Sequence, residues 1–116
     1  MRVGVVGSRR RMDHEAVADY IAGLVPGTVV ITGGAKGPDR WAERAARARG
    51  LEVVVHYPDL AGAHNRWEVT ARYYARNQRI VDDADMVVAF AAPDRKGGTE
   101  DTIRRAIRAG KPVELR

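Results

Sequence analysis

Cysteine is absent from the 116 residues. That excludes disulfides, thiol catalysis and cysteine-ligated zinc. A chain of this length has room for one domain, residues 1–116, and can bury a real core without crosslinks. Long hydrophobic runs are missing too, so no membrane partner is expected. The N-terminus, MRVGVVGSRRR, places its charge after a short apolar stretch. A signal peptide needs charge before a longer one, so the expected compartment is the cytoplasm. Histidine is sparse: His14, His56 and His64 are scattered without ligand spacing, and no metal or other cofactor is expected. No Ser-His-Asp arrangement suggests itself, and Ser8 lies outside a G-x-S-x-G elbow, so no catalytic residue is assigned. Lysine is nearly missing, with only Lys36, Lys96 and Lys111, yet the formal charge is +5. The excess is therefore arginine, which suits phosphate and carboxylate forks. A compositional bias would produce the same excess.

Against these absences stands a regular alternation of strand-like and helix-like segments. Val3 to Val6 is a short apolar run closed by Gly7. Asp13 is placed to cap a helix with Val17, Tyr20, Ile21 and Leu24 along one stripe. Thr28 to Thr32 is β-branched throughout and reads as a buried strand. Pro38 suits the start of a helix carrying Trp41, Ala42, Ala45, Ala46 and Ala48. Leu51 to His56 is a third strand, and Tyr57 to Asn65 a loop without pattern. The third helix has Trp67, Ala71, Tyr74 and Gln78 on one face. Met86 to Phe90 is a fourth strand. Thr99 to Ala109 is a fourth helix with Ile103, Ala106 and Ile107 inward, and Val113 to Leu115 a last strand. The pattern predicts an α/β, Rossmann-like three-layer fold. It has a five-stranded parallel sheet in the order 3-2-1-4-5 and helices on both faces. Right-handed crossovers put every strand-to-helix loop on one edge, where ligands of such sheets bind.

Three of those loops stand out. Gly33-Gly34-Ala35-Lys36-Gly37 precedes Pro38 and Asp39. Three glycines in five residues allow close approach to a ligand, and the next helix offers free N–H groups to an anion. A tight turn needing positive φ would also use glycine. The segment is neither a Walker A loop nor the dinucleotide fingerprint. Gly97-Gly98-Thr99 opens the fourth helix, and the Thr99 hydroxyl could cap that helix or bind phosphate. Glu100 and Asp101 beside it favour the helix dipole and repel an anion. Gly7-Ser8-Arg9 ends the first strand. Ser8 and Arg9 are expected to face inward, with Arg10 and Arg11 in water. Arg76 and Asn77, toward the end of the third helix, read from the residues alone as ordinary dipole chemistry.

VGVVGSRR, TGGAKGPDRWAERAA, RNQRIV and KGGTEDTIRRAIRAGKPV, in that order, resemble the SLOG superfamily. That superfamily includes the DprA/Smf DNA-processing proteins, the LOG phosphoribohydrolases and small stand-alone YspA/YpsA-related domains. The resemblance covers nearly the whole chain and is strongest to the small domains. It implies a Rossmann-like sheet with a pocket for a nucleotide or nucleotide-derived ligand, and it moves Arg76 and Asn77 into that pocket. The expected ligand-binding set is thus Gly7, Ser8, Arg9, Gly33, Gly34, Ala35, Lys36, Gly37, Asp39, Arg76, Asn77, Gly97, Gly98 and Thr99. The LOG pattern P-G-G-x-G-T-x-x-E, whose glutamate is catalytic, is similar only in part. With Thr99 on its threonine, Thr102 falls where the glutamate belongs. Glu100 is two residues early, about 200° away around a helix.

Three functions follow as expectations. The first is a binding module for a nucleotide-derived phosphate ligand, acting as sensor, carrier or sponge without catalysis. The second is a DprA-like protein binding single-stranded DNA. The third is a LOG-like hydrolase. Base-stacking platforms are not evident, because Trp41, Trp67 and Tyr74 read as core. The resemblance and the aromatic third helix also imply a homodimer.

Overall fold

A computed structural model covers residues 1–116. In chain order the elements are β1 (Arg2–Gly7), α1 (His14–Ala22), β2 (Val29–Thr32), α2 (Pro38–Ala48) and β3 (Glu52–Val55). They continue with α3 (Arg66–Asp83), β4 (Met86–Phe90), α4 (Gly98–Arg108) and β5 (Val113–Leu115). The five strands form one sheet in the order β3-β2-β1-β4-β5, and every neighbouring pair is parallel. The register places Val3 opposite both Val30 and Met86.

Alternation along the central strand divides the core. Val3 and Val5 pack with Val17 and Ile21 of α1 and Ala42 and Ala46 of α2. Val6, on the other face, packs with Ile80 and Val81 of α3 and Ile103 and Ala106 of α4. Side chains on both faces of β1 are buried, which is why the strands read as continuous apolar runs. Gly4 lets α3 settle close to the sheet: a Cβ there would lie 3.3 Å from the Ala84 Cβ. Gly7 is tighter still. A Cβ would lie 2.5 Å from the Pro38 ring, so α2 starts directly against the end of β1.

The helix faces depart from expectation in places. Trp67 is 81% exposed, and Ala71 and Tyr74 also face solvent. The buried residues of α3 are Arg76, Asn77, Ile80 and Val81. Length explains the difference. An 18-residue helix spans about 27 Å, whereas strands of four to six residues span roughly 13–20 Å. The N-terminal half of α3 overhangs the sheet and has no core beneath it. Ile107 is 64% exposed, because the inward stripe of α4 is Thr102, Ile103 and Ala106 and the three-residue β5 does not cover more. Ala48 of α2 is exposed as well. Thr99 does not cap α4. The helix begins one residue earlier with Gly97 at the cap position and no side-chain cap. Asp13 occupies the cap position of α1, but its carboxylate is taken by Arg11.

Ile103→Ala should therefore cost about 2–4 kcal/mol by opening a cavity, and Ile107→Ala should stay within about 0.5 kcal/mol. Urea unfolding of both variants checks this; equal losses would place Ile107 in the core after all.

Candidate functional site

The loops after all four helix-connected strands meet at the C-terminal edge of the sheet and enclose a cleft of about 850 Å³. β1 is the point from which the chain winds to β2 on one side and β4 on the other. That is the place where open α/β sheets bind ligands.

The floor is built around Asp39 and Arg76. Asp39, in the first turn of α2, is 4% exposed. Its Oδ2 accepts from the Gly33 N–H at 3.1 Å and the Ala35 N–H at 3.4 Å, folding the glycine loop back over the helix start. Burial pushes its carboxyl up to about 6, against the opposing pull of the Arg76 charge and of the Ala35, Gly33 and Gly7 amides. Arg76 reaches the same loop from α3. Its Nη1 donates to the Gly33 carbonyl and, at 3.4 Å, to that of His56. Its Nε donates to Asn77 Oδ1 at 3.0 Å. Burial lowers its pKa from the usual arginine value, and Asp39 opposes the shift. Arg76 is 7% exposed, and its remaining amino group, Nη2, bonds to nothing in the chain. Behind it, Asn77 Nδ2 donates to Asp101 Oδ2 at 3.1 Å. Asp101 also accepts from Arg105 Nε at 2.7 Å within α4, and Arg105 Nη1 donates to Gln78 Oε1 at 3.0 Å, so that α4 is joined to α3 twice.

Of the fourteen residues expected from sequence, thirteen line this cleft. Gly37 is the exception. Its backbone backs onto the first loop, where a Cβ would lie 3.3 Å from the Arg9 Cα, so it joins two loops rather than facing the cavity. Ser8 is partly spent on its own turn: its Oγ accepts from the Arg10 N–H at 3.1 Å. Arg10 and Arg11 do not both lie free in water. Arg10 lines the cleft and makes a two-pronged pair with Asp94, tying the first loop to the fourth. Arg11 is half-buried, donating to the Ala91 and Arg116 carbonyls and lying 5.5 Å over the Phe90 ring.

The cleft also holds residues the sequence reading passed over. Tyr57 and Pro58 come from the third loop, and Tyr73 and Tyr74 from the overhanging part of α3. The rule that placed the other loops at this edge applies equally to the one after β3, and was the available signal. Arg40 and Lys96 stand at the rim, and Thr102 lies in the wall. Glu100 faces away from the cavity, buried in an ion pair with Arg95. Tyr57 explains Gly34: φ is +72° there, and a Cβ would lie 2.5 Å from the tyrosine ring. Gly34→Val would therefore strain the backbone and displace the ring as well as narrow the cleft. No three His, Asp or Glu side chains gather as a metal site would require, and no helix is long and apolar enough to cross a membrane.

Fold and cleft together define a doubly wound α/β protein with a cationic, glycine-lined site at its switch point. The model of the YspA, cpYpsA-related SLOG family matches residues 1–64. The gene 61 protein of Mycobacterium phage D29 is 36% identical over 120 residues, 97% of this chain and 93% of that protein. The chain belongs to the YspA, cpYpsA-related SLOG family. Among solved structures, DNA processing protein A (DprA) from Streptococcus pneumoniae superposes with a TM-score of 0.81 at 25% identity. The superposition covers 98% of this chain and 49% of DprA, so this chain spans about half of that protein. The C-terminal domain of a Pyrococcus furiosus hydrogenase shares the fold, with a TM-score of 0.51 at 15% identity over 98% of this chain and 89% of that one.

The Asp39 carboxyl gives the site a pH signature. Its folded pKa of about 6 lies above its ordinary value of 3.8. Its contribution to stability is therefore fully present below about pH 4 and is lost as pH rises through about 6. The amide of an Asp39→Asn variant cannot ionise, and it keeps an oxygen for the Gly33 and Ala35 N–H groups. The variant should gain on the wild type by about 2–3 kcal/mol between pH 4 and pH 7. Thermal melts across that range test it; a difference that stays flat with pH would refute the assignment.

Proposed function

We propose that this cleft binds a nucleotide or nucleotide-derived phosphate ligand and does not turn it over, so that the protein serves as a sensor, carrier or sponge. The observation that carries the reading is the buried Arg76, with one amino group unpartnered beside the Gly33–Ala35 backbone. A guanidinium fixed by the chain and a glycine backbone open to close approach make an anion site. Family membership supports it. The binding-only part rests on Glu100 and Thr102. Both carboxylates in the first turn of α4 are engaged, Glu100 by Arg95 away from the cavity and Asp101 by Arg105 and Asn77, and the wall there presents a threonine.

A second reading, single-stranded DNA binding, is favoured by the likeness to DprA and by the aromatic side chains Tyr57, Tyr74 and Trp67. These are exposed on and beside the cleft rather than packed in the core. Bases stack on such surfaces. The same exposed face of α3 supports the proposal of a homodimer. Light scattering at high concentration should then return twice the monomer mass; a mass of 12.7 kDa would refute it.

Thermal shift against mono-, di- and cyclic nucleotides, NAD derivatives and short oligonucleotides separates the readings. A nucleotide module gains stability from one nucleotide class. A DNA binder shows affinity that rises with oligonucleotide length and falls steeply with salt. Arg76→Ala should weaken nucleotide binding by about 1.5–3 kcal/mol. Unchanged affinity in that variant would remove Arg76 from the site. Chromatographic detection of free base after incubation with nucleoside monophosphates would restore the hydrolase.

A further inference from the structure

Two helices of equal length, α2 and α4, begin at the cleft, each with a glycine at the cap position, positive φ there, and no side-chain cap. Each has a buried polar side chain beside it that still lacks a partner on the cleft side. At the loop before α2 it is the Arg76 amino group. At α4 it is Thr102, 2% exposed and lining the cleft, whose hydroxyl bonds to no other group of the chain. The acidic residues of the first turn of α4 do not compete: Glu100 is paired with Arg95, and Asp101 with Arg105.

The two positions are separate. β2 and β4 flank β1, so their ends lie two strand spacings apart, about 10 Å. One phosphoryl group cannot sit against both. Charge points the same way. Arg9, Lys36, Arg40 and Lys96 line the cleft without an acidic partner, in addition to Arg76, and only Arg10 is paired. A phosphate monoester supplies about −1.5 to −2 charges at neutral pH, short of the four positive charges left when Asp39, ionised above about pH 6, is set against those five. The cavity of about 850 Å³ is also at the large end of small-molecule sites, which run from about 300 to 1,000 Å³.

We propose that the ligand is a nucleotide carrying phosphoryl groups at two separate positions, as a 3′,5′-bisphosphate does, one held at the start of α2 by Arg76 and the other at the start of α4 by Thr102 and Lys96. The inference rests on the nucleotide reading above and narrows it. Calorimetric titration of the full chain with the ribonucleoside 5′-monophosphates, 5′-diphosphates and 3′,5′-bisphosphates tests it, with inorganic pyrophosphate and a dT oligomer alongside. For at least one base, the 3′,5′-bisphosphate should bind at least tenfold more tightly than the monophosphate, the 5′-diphosphate and pyrophosphate. Lys96→Ala and Thr102→Val should each shrink that ratio by threefold or more; Lys96 is on the surface, so its variant will fold. Equal affinity for the monophosphate and the 3′,5′-bisphosphate of the same base overturns this inference and leaves the nucleotide reading standing. Pyrophosphate binding as tightly as any nucleotide, or affinity that grows only with oligonucleotide length, overturns both. Absence of binding by every nucleotide also overturns both.

Discussion

The space where a side chain would sit on residue 33 is filled by two others. A Cβ on Gly33 would lie 2.8 Å from Arg76 Nη1 and 2.9 Å from Asp39 Oδ2. A guanidinium from α3 and a carboxyl from α2 thus close on one stretch of backbone at the end of β2, the guanidinium on its carbonyl and the carboxyl on its amide. This clasp spans the sheet, because α2 and α3 lie on opposite faces. Burying both groups is costly, and the hydrogen bonds to the loop offset part of that cost. The position of the glycine loop, the shape of the cleft floor and the orientation of Asn77 toward Asp101 all follow from it.

Strand order and the meeting of the glycine loops could be read from the sequence because both depend on short-range signals. β-branched runs mark strands, glycine marks their ends, and handedness does the rest. Arg76 and Asn77 could not be found that way. Two polar residues at a helical position look the same whether they face solvent or a cavity, and only the family resemblance singled them out. Trp67 and Tyr74 show the converse. Their spacing is that of a buried stripe, but burial needs a sheet beneath the helix, and the strands stop short of them. Tyr57 was hidden for a related reason: the segment around it has no periodicity, and its place at the cleft comes from chain topology alone.

The cleft is held by several independent ties between loops rather than by one rigid element. Arg10 joins the first loop to the fourth through Asp94, and Gly37 abuts the backbone of Arg9. Asn77, Asp101 and Arg105 lock α3 to α4 behind the cavity. The Arg10–Asp94 pair is exposed and contributes little to stability. The Asp101 pair is more sheltered and shares its acceptor with Asn77. The mouth is therefore the softer part of the site and the floor the firmer.

The place of β1 between β2 and β4 also dictates the order in which the chain can acquire its shape. β1, β2 and β3 are consecutive neighbours joined by α1 and α2, so half of the sheet can form from the first half of the chain. The pairing of Val3 with Met86 must wait until α3 and β4 have followed, and closing so long a loop is slow. During synthesis the first half would emerge with one side of its central strand unpaired, an edge open to wrong partners. Every residue of the cleft contributed by α3 and the fourth loop arrives after that moment, so the cleft closes only onto a half-sheet that is already built.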